Sequence, residues 1–356
     1  MEVDKLKRDC RHFRGEIPCV PHKRMGVHCD GCPEYDPVKQ KILIIKLGAI
    51  GDVIRTTPLL RRLKSEYPSS LIFWITKTPE VIPSGVDRIF GWSFDAVMAL
   101  EQMEFYILIN LDKDLEAAAL ADRVRAREKK GFTLNSWYCY PANVEAEHKY
   151  LTGIFDDINR ANRKSYLEEI FEICGFKFNK ERYILTSFSD KGYVWNIAEP
   201  HPLIGLNTGC GGRWRSRLWP EPYWRELAVR LREAGYGVVL LGGELEHRKN
   251  VRLSRVTGAA YPGYFTLTQF INLVDQCELV VTAVTMALHI AIGLSKKVVL
   301  FNNIFNPHEF ELYGLGEILE PDFECDCFFS PECPNNCMQY LSVDRVYNSC
   351  VKLLHG

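Results

Sequence analysis

The sequence predicts two α/β/α sandwiches in series, each on a mostly parallel sheet, preceded by a small cysteine-rich N-terminal knuckle. Three observations carry this. With 356 residues, 47% of them hydrophobic, the chain can bury more core than one compact domain usually holds. From residue 39 onward, short apolar runs alternate with amphipathic stretches, the pattern of βαβ units. Residues 1–38 lack that alternation and hold Cys10, Cys19, Cys29 and Cys32 among prolines, glycines and basic residues.

Taken in order, "KILIIKL" predicts a strand over 41–47, followed by a helix in "TTPLLRRLKSEY" and strands in "SLIFWIT" and "FYILINL". The Ala-rich "DLEAAALADRVRAREKK" reads as helical, with its basic run over 123–130 on a solvated face or against anionic lipid. "KSYLEEIFEICG" is a helix ended by Gly175, which places the first sandwich at 39–190. The second, 191–324, begins with strand "LIGLN" and a helix whose apolar face is Trp224, Leu227, Ala228, Leu231 and Ala234, ended by Gly235. Strand "GVVLLGG", a charged helix, helix "TLTQFINLVDQC" capped by Thr266, strand "LVVTAV", helix "TMALHIAIGL" and strand "KKVVLFN" complete it. Residues 325–356 form a cysteine-containing tail and a C-terminal helix.

The formal charge of −1 excludes a surface built to neutralise a nucleic-acid backbone. The N-terminus is charged from its second residue and lacks the apolar core of a secretory signal, and the longest apolar segment, 279–294, is too short to cross a bilayer. A soluble, cytoplasmic chain is expected. Thirteen cysteines without an export signal point to reduced thiols and metal ligation before disulfides.

Ligands of open α/β sheets bind where strand ends meet helix N-termini, so the loops there carry the candidate chemistry. After the first strand comes Gly48-Ala49-Ile50-Gly51, with Asp52 where a helix should start. On residue physics alone Asp52 is an N-cap. In "NTGCGGRWRSRLWPEPYW", Arg213, Arg215 and Arg217 stand in a glycine-rich loop ahead of a helix, a cradle for a diphosphate. Thr285 lies at another strand-to-helix turn, with His289 one helical turn later. Asp112-Lys113-Asp114 has the form of the Asp-x-Asp that holds a cation on a sugar nucleotide, or else is a strand-end loop and cap.

"KLGAIGDVIRTTPLL", "GCGGRWRSRLWPEPYW", "LLGGELE", the helix carrying His289 and the tail "CDCFFSPECPNNCMQYLSVDRV", in this order, resemble the ADP-heptose:lipopolysaccharide heptosyltransferases of glycosyltransferase family 9, from about residue 40 to the C-terminus. The resemblance implies a GT-B fold, two Rossmann-like α/β/α domains facing across a cleft, and an inverting transfer of a heptose-like sugar from a nucleotide-diphosphate donor to a lipopolysaccharide core or related surface glycan. It implies that Asp52 is the general base, which displaces the cap reading. Arg217, Glu246, Phe265, Thr285 and His289 would bind the donor, ADP-heptose by default, and Arg55, Thr56, Asn110 and Asp112 the acceptor. The chain departs from the family with Val284 in place of an aspartate, Met286 in place of a glycine and Ala287 in place of a proline, which leaves the identity of the sugar open. No metal is required by that chemistry. A lipid-linked acceptor would bring the enzyme to the inner leaflet of the inner membrane as a peripheral protein.

Cys10, Cys19, Cys29 and Cys32 suggest a structural metal, most simply Zn, with iron or an iron–sulfur cluster as the runner-up. Cys325, Cys327, Cys333 and Cys337 form a second, weaker set by spacing. Two rival readings stand beside the glycan transferase: a protein O-heptosyltransferase using the same donor, and a non-catalytic module that binds nucleotide sugar or metal.

Overall fold

A computed structural model describes residues 2–355. The chain divides into two compact units. The first comprises the chain up to Gly48, Leu59–Glu147 and Glu172–Phe176; the second comprises Ala49–Pro58, His148–Phe171 and the chain from Lys177.

The first unit is built on six strands: β1 Gln40–Ile45, β2 Ser70–Thr76, β3 Arg88–Gly91, β4 Glu104–Asn110, β5 Arg125–Asn135 and β6 Tyr138–Pro141. Their order is β3-β2-β1-β4-β5-β6. All pairs are parallel except β5 with β6, which is antiparallel. Ile42, Leu43, Ile44 and Ile45 in β1 are all buried, as the central strand of a sheet covered on both faces must be. On one face Leu43, Ile45, Phe73 and Ile75 pack with Leu100 and Leu120, which come from helices Phe94–Gln102 and Leu115–Arg123. The first of these helices is capped by the Ser93 hydroxyl, which accepts from the Ala96 amide at 3.2 Å.

Two sequence expectations change here. The basic run is not a helix throughout: the helix stops at Arg123, and from Arg125 the chain is β5. Within the run Arg125 donates to the Gln102 carbonyl, Lys129 to that of Asp122 and Lys130 to that of Cys174, while Arg123, Arg125 and Arg127 remain exposed. Asp52 is not an N-cap. Helix Ile50–Thr56 is preceded by Ala49 as its cap residue, and Asp52 lies in the first turn, still at the positive end of the peptide dipoles.

The N-terminal segment carries little core of its own; Pro21 is its one buried residue among those described before Val38. Arg11 ties it to the sheet, donating to Asp36 at 2.7 Å, to Asp87 at 2.7 Å and to the Ser70 carbonyl at 2.8 Å.

The second unit has five parallel strands, β7 Leu203–Asn207, β8 Gly237–Leu241, β9 Leu279–Ala283, β10 Lys297–Phe301 and β11 Gly316–Leu319, in the order β11-β10-β9-β7-β8. The helix Glu221–Glu233 buries Trp224, Leu227, Ala228 and Leu231 on the sheet, whereas Ala234, which the periodicity adds to that face, is the C-cap residue and is exposed, because the helix ends before it. Gly235 leaves that helix at φ 89°, and Thr266 with Gln269 forms a capping box ahead of Leu267–Asp275. The C-terminal helix Val343–His355 packs Val343, Val346 and Cys350 into the same core.

Candidate active site and metal centre

In the second sheet the strand order reverses between β7 and β9, and the loops after those two strands meet there. Asn207, the last residue of β7, donates to Thr282 at 2.9 Å and to Thr285 at 3.2 Å. Thr285 in turn caps helix Met286–Gly293, accepting from the Ala287 amide at 3.2 Å. One turn on, His289 is buried.

Helix Ile50–Thr56 packs against that same helix within the second unit. The contact is close at Gly51, where a Cβ would lie 2.5 Å from His289 Cδ2. Beside it the Asp52 carboxylate accepts from Arg55 at 2.9 Å; the aspartate side chain is 34% exposed and the arginine 13%. The Arg55 guanidinium also lies over the Tyr166 ring, 3.5 Å from its centre. Burial opposes the charge on Arg55, but Asp52, Tyr166, Glu309 and Tyr183 together raise its pKa above the ordinary arginine value. Burial, joined by the Arg55 charge and opposed by Asp52, brings His289 down to about 3. Its imidazole is therefore neutral at physiological pH, with Nδ1 3.4 Å from the Tyr183 hydroxyl.

The glycine-rich loop after β7 is folded around Arg217. This guanidinium is buried, donates to the Cys210 carbonyl at 2.9 Å and lies over the Phe305 ring at 5.5 Å. Desolvation pushes it down to about 10. A buried cation held by carbonyls and a ring, with no carboxylate in its set of described ion pairs, favours an anion at this place. Glu246 lies over the start of the loop: a Cβ at Gly209 would run into its carboxylate, and Glu246 accepts from the Gly243 amide at 2.9 Å. Phe265 stands edge-on to Trp195 with ring centres 4.8 Å apart. The structure thus brings Asp52, Thr285 and His289 onto two packed helices, with Arg217 and Glu246 on the neighbouring strand-end loops of the same unit.

The four residues assigned to an acceptor are engaged within the protein. Asn110 is fully buried and donates to the carbonyls of Asp112 and Phe132 at 3.0 and 2.8 Å. Asp112 is buried against Lys46 and the Leu47 amide. Burial raises its pKa, with Lys46 opposing. Thr56 donates to the Asp52 carbonyl at 2.7 Å, and Arg55 is the partner of Asp52. The first carboxylate of the Asp-x-Asp sequence is thus paired with Lys46 at the end of β4.

Two residues of this site escape the sequence reading. Lys249 donates to the Thr208 carbonyl at 2.6 Å, and burial lowers its pKa. Its signal was its place three residues after Glu246 on a helix. Tyr183 sits in an irregular segment without any periodic signal.

The cysteines separate into two arrangements. Cys325, Cys327, Cys333 and Cys337 have all four sulfurs within 4.8 Å of one another, the only such metal-ligating group among the described residues. Sγ···Sγ distances are 3.4 Å for Cys325 with Cys333 and 3.6 Å for Cys327 with Cys337. The Cys337 amide donates to Cys333 Sγ at 3.4 Å, and Asn303 Nδ2 to Cys337 Sγ at 3.3 Å, as suits thiolates. Four sulfurs at this spacing fit a single tetrahedral ion. By contrast Cys10, Cys19, Cys29 and Cys32 line a common cavity. The set ranked first by sequence is thus the open one, and the second set is the compact one.

Comparison with known proteins bears on the family and the fold. Residues 95–314 match the model of glycosyltransferase family 9 (heptosyltransferase). Lipooligosaccharide heptosyltransferase 2 of Haemophilus ducreyi is 23% identical over 72% of this chain and 80% of its own length. The E. coli heptosyltransferase WaaC, solved with ADP-2-deoxy-2-fluoro heptose, superposes with a TM-score of 0.62 at 15% identity, covering 88% of this chain and 99% of that one. The iron-containing dodecameric glycosyltransferase TibC of enterotoxigenic E. coli superposes with a TM-score of 0.54 at 13% identity, covering 89% of this chain and 77% of that one. With two parallel-sheet domains of the GT-B kind and a family match over more than half its length, the chain belongs to glycosyltransferase family 9, the heptosyltransferases.

Proposed function

We propose that this glycosyltransferase moves a heptose or closely related sugar from an ADP-linked donor to a hydroxyl of a lipopolysaccharide core or related surface glycan, with inversion at the anomeric carbon. The observation that carries this reading is the placement of the Asp52 carboxylate, partly exposed, on a helix packed against His289, in the same unit as the Arg217 loop. As the bond from sugar to diphosphate lengthens, negative charge grows on the leaving phosphate. Arg217, Thr285 and the amides at the start of helix Met286–Gly293 are the groups suited to receive it, each such donor being worth ~3 kcal/mol in a site that excludes water. The acceptor hydroxyl attacks from the opposite face, and Asp52 takes its proton in the transition state. Arg55 fixes the rotamer of that carboxylate, and the neutral His289 can donate or accept a hydrogen bond without adding charge.

The donor assignment of Glu246 is supported by its place over the start of the loop, and that of Phe265 by the family resemblance alone. At the tetrad, Cys325, Cys327, Cys333 and Cys337 would hold one Zn or Fe ion, which supplies a structural cross-link. Among the described residues no helix is long and apolar enough to cross a membrane, so a lipid-linked acceptor would be met from the membrane surface.

A thermal-shift panel of ADP-, GDP- and UDP-sugars, followed by mass spectrometry of products, tests the reading. Stabilisation by ADP-heptose and a heptose mass increment on a lipid-linked glycan are expected. An increment on polypeptide instead would turn the assignment to a protein acceptor, and failure of every nucleotide sugar to stabilise the chain would leave a binding module. Gly51→Ala is a local test. Its methyl group would displace His289, at a cost of about 1–3 kcal/mol for an overpacked contact. Thermal unfolding and kcat/KM should fall together, whereas unchanged values would mean that the two helices need no close approach.

A further inference from the structure

The two cysteine quartets of this chain differ in a way that bears on what each can hold. A single ion bound by four thiolates at about 2.3 Å sets its sulfurs roughly 3.8 Å apart and leaves no space between them. The C-terminal quartet has that compactness, with sulfur pairs at 3.4 and 3.6 Å. Cys10, Cys19, Cys29 and Cys32 instead line an open cavity of about 280 Å³, each of them partly buried. The rest of the wall includes Leu6, Phe13, Ile17 and Val27, with Lys7 and Arg14 the charged residues and no Asp or Glu.

We infer that Cys10, Cys19, Cys29 and Cys32 hold a [4Fe–4S] cluster. Such a cluster takes one thiolate at each iron corner and fills the space between the four sulfurs with its own inorganic core, so it calls for thiols arranged around a cavity. The four thiols lose their protons on ligation, and the assembled unit carries net negative charge. A wall with two cations and no carboxylate suits that charge, and its apolar side chains limit access of water. The segment also needs a staple: Pro21 is its one buried residue among those described before Val38, and Arg11 is its main tie to the sheet. His12, His22 and His28 line the same cavity, but the imidazole Nδ1 of His22 is engaged by the Val27 carbonyl at 2.9 Å. The inference is independent of the sugar-transfer reading.

The test uses the full chain purified without oxygen, with iron, zinc and acid-labile sulfide counted per chain and Mössbauer spectra recorded. The wild type should contain about four labile sulfides with a matching amount of cluster iron, as one [4Fe–4S] unit requires, besides the ion of the C-terminal tetrad. Cys29→Ser with Cys32→Ser should remove all labile sulfide and keep the tetrad ion. Cys333→Ser with Cys337→Ser should do the reverse. The N-terminal variant should still show a thermal shift with ADP, since the donor loop belongs to the other unit. Absence of labile sulfide from the wild type, both as purified and after reconstitution with ferrous iron and sulfide, would overturn the inference, whether or not a variant folds. So would a single ion in the N-terminal set, or loss of sulfide on mutation of the tetrad alone.

Discussion

Replacement of Asp52 by Asn is expected to lower kcat about 10²- to 10⁴-fold, the usual contribution of a positioned general base, while leaving the affinity for ADP unchanged. The amide matches the carboxylate in shape and can still accept from Arg55, so the first turn of helix Ile50–Thr56 should persist. What it lacks is the capacity to take a proton from the attacking hydroxyl. Losing the charge also weakens the hold on Arg55, whose cation then has a neutral amide and the Tyr166 ring beside it. A stability loss of about 1–3 kcal/mol is the expected side effect, to be measured by denaturant unfolding so that the kinetic loss is not mistaken for unfolding. Single-turnover transfer with saturating donor reads the chemical step directly. Wild-type turnover in this variant would place the base elsewhere and reduce Asp52 to a helix-start residue.

The second large effect is expected at the tetrad. Ser216, inside the arginine loop, donates from its amide to the Pro331 carbonyl at 2.9 Å and from its hydroxyl to the Ser330 carbonyl at 2.7 Å. Asn303 bridges the two segments, donating to the Ser216 carbonyl at 2.8 Å as well as to Cys337 Sγ. Trp214 packs against Phe305 and Phe329. The fold of residues 325–337 is therefore a buttress for the loop that carries Arg217. Cys327→Ser with Cys337→Ser should abolish metal binding there, and the binding energy of a structural tetrathiolate ion, on the order of 10 kcal/mol, is folding energy for the segment it joins. Metal analysis should show the loss, hydrogen exchange should rise over 210–217 as well as 323–341, and ADP affinity should drop at least about tenfold if roughly 1.4 kcal/mol of preorganisation is lost. An intact loop with unchanged ADP affinity after metal loss would show that the hydrogen bonds alone suffice. Strong chelation of the wild type should move all three measurements in the same direction.

Where local rules decide the structure, the sequence was readable. Thr266 caps its helix, Gly175 and Gly235 take the left-handed conformation at helix ends, and Trp224, Leu227, Ala228 and Leu231 face the core as their spacing requires. The sequence puts Asp52 at the start of the right helix but as its cap, three residues from where the cap falls, because cap and first turn share the same preference for a carboxylate. The helical reading of 123–130 fails because helical periodicity continues past Arg123, while the strand that begins at Arg125 is set by its pairing with β4. The convergence of the tail cysteines depends on left-handed backbone at Phe329 and Asn336, neither a glycine, so no turn signal announced it. The inward fate of Asn110 and Asp112 rests on Lys46 and Phe132, distant in sequence, and so was equally hidden.

The alternation of the chain between its two units has an evolutionary and practical corollary. The path changes unit at 48/49, 58/59, 147/148, 171/172 and 176/177, so no single cut yields either lobe whole. Exchange of one lobe with that of a paralogue would have to carry noncontiguous stretches together, the ten residues around Asp52 among them, and a simple fusion at the centre of the chain should yield hybrids that lack the carboxylate's native neighbours.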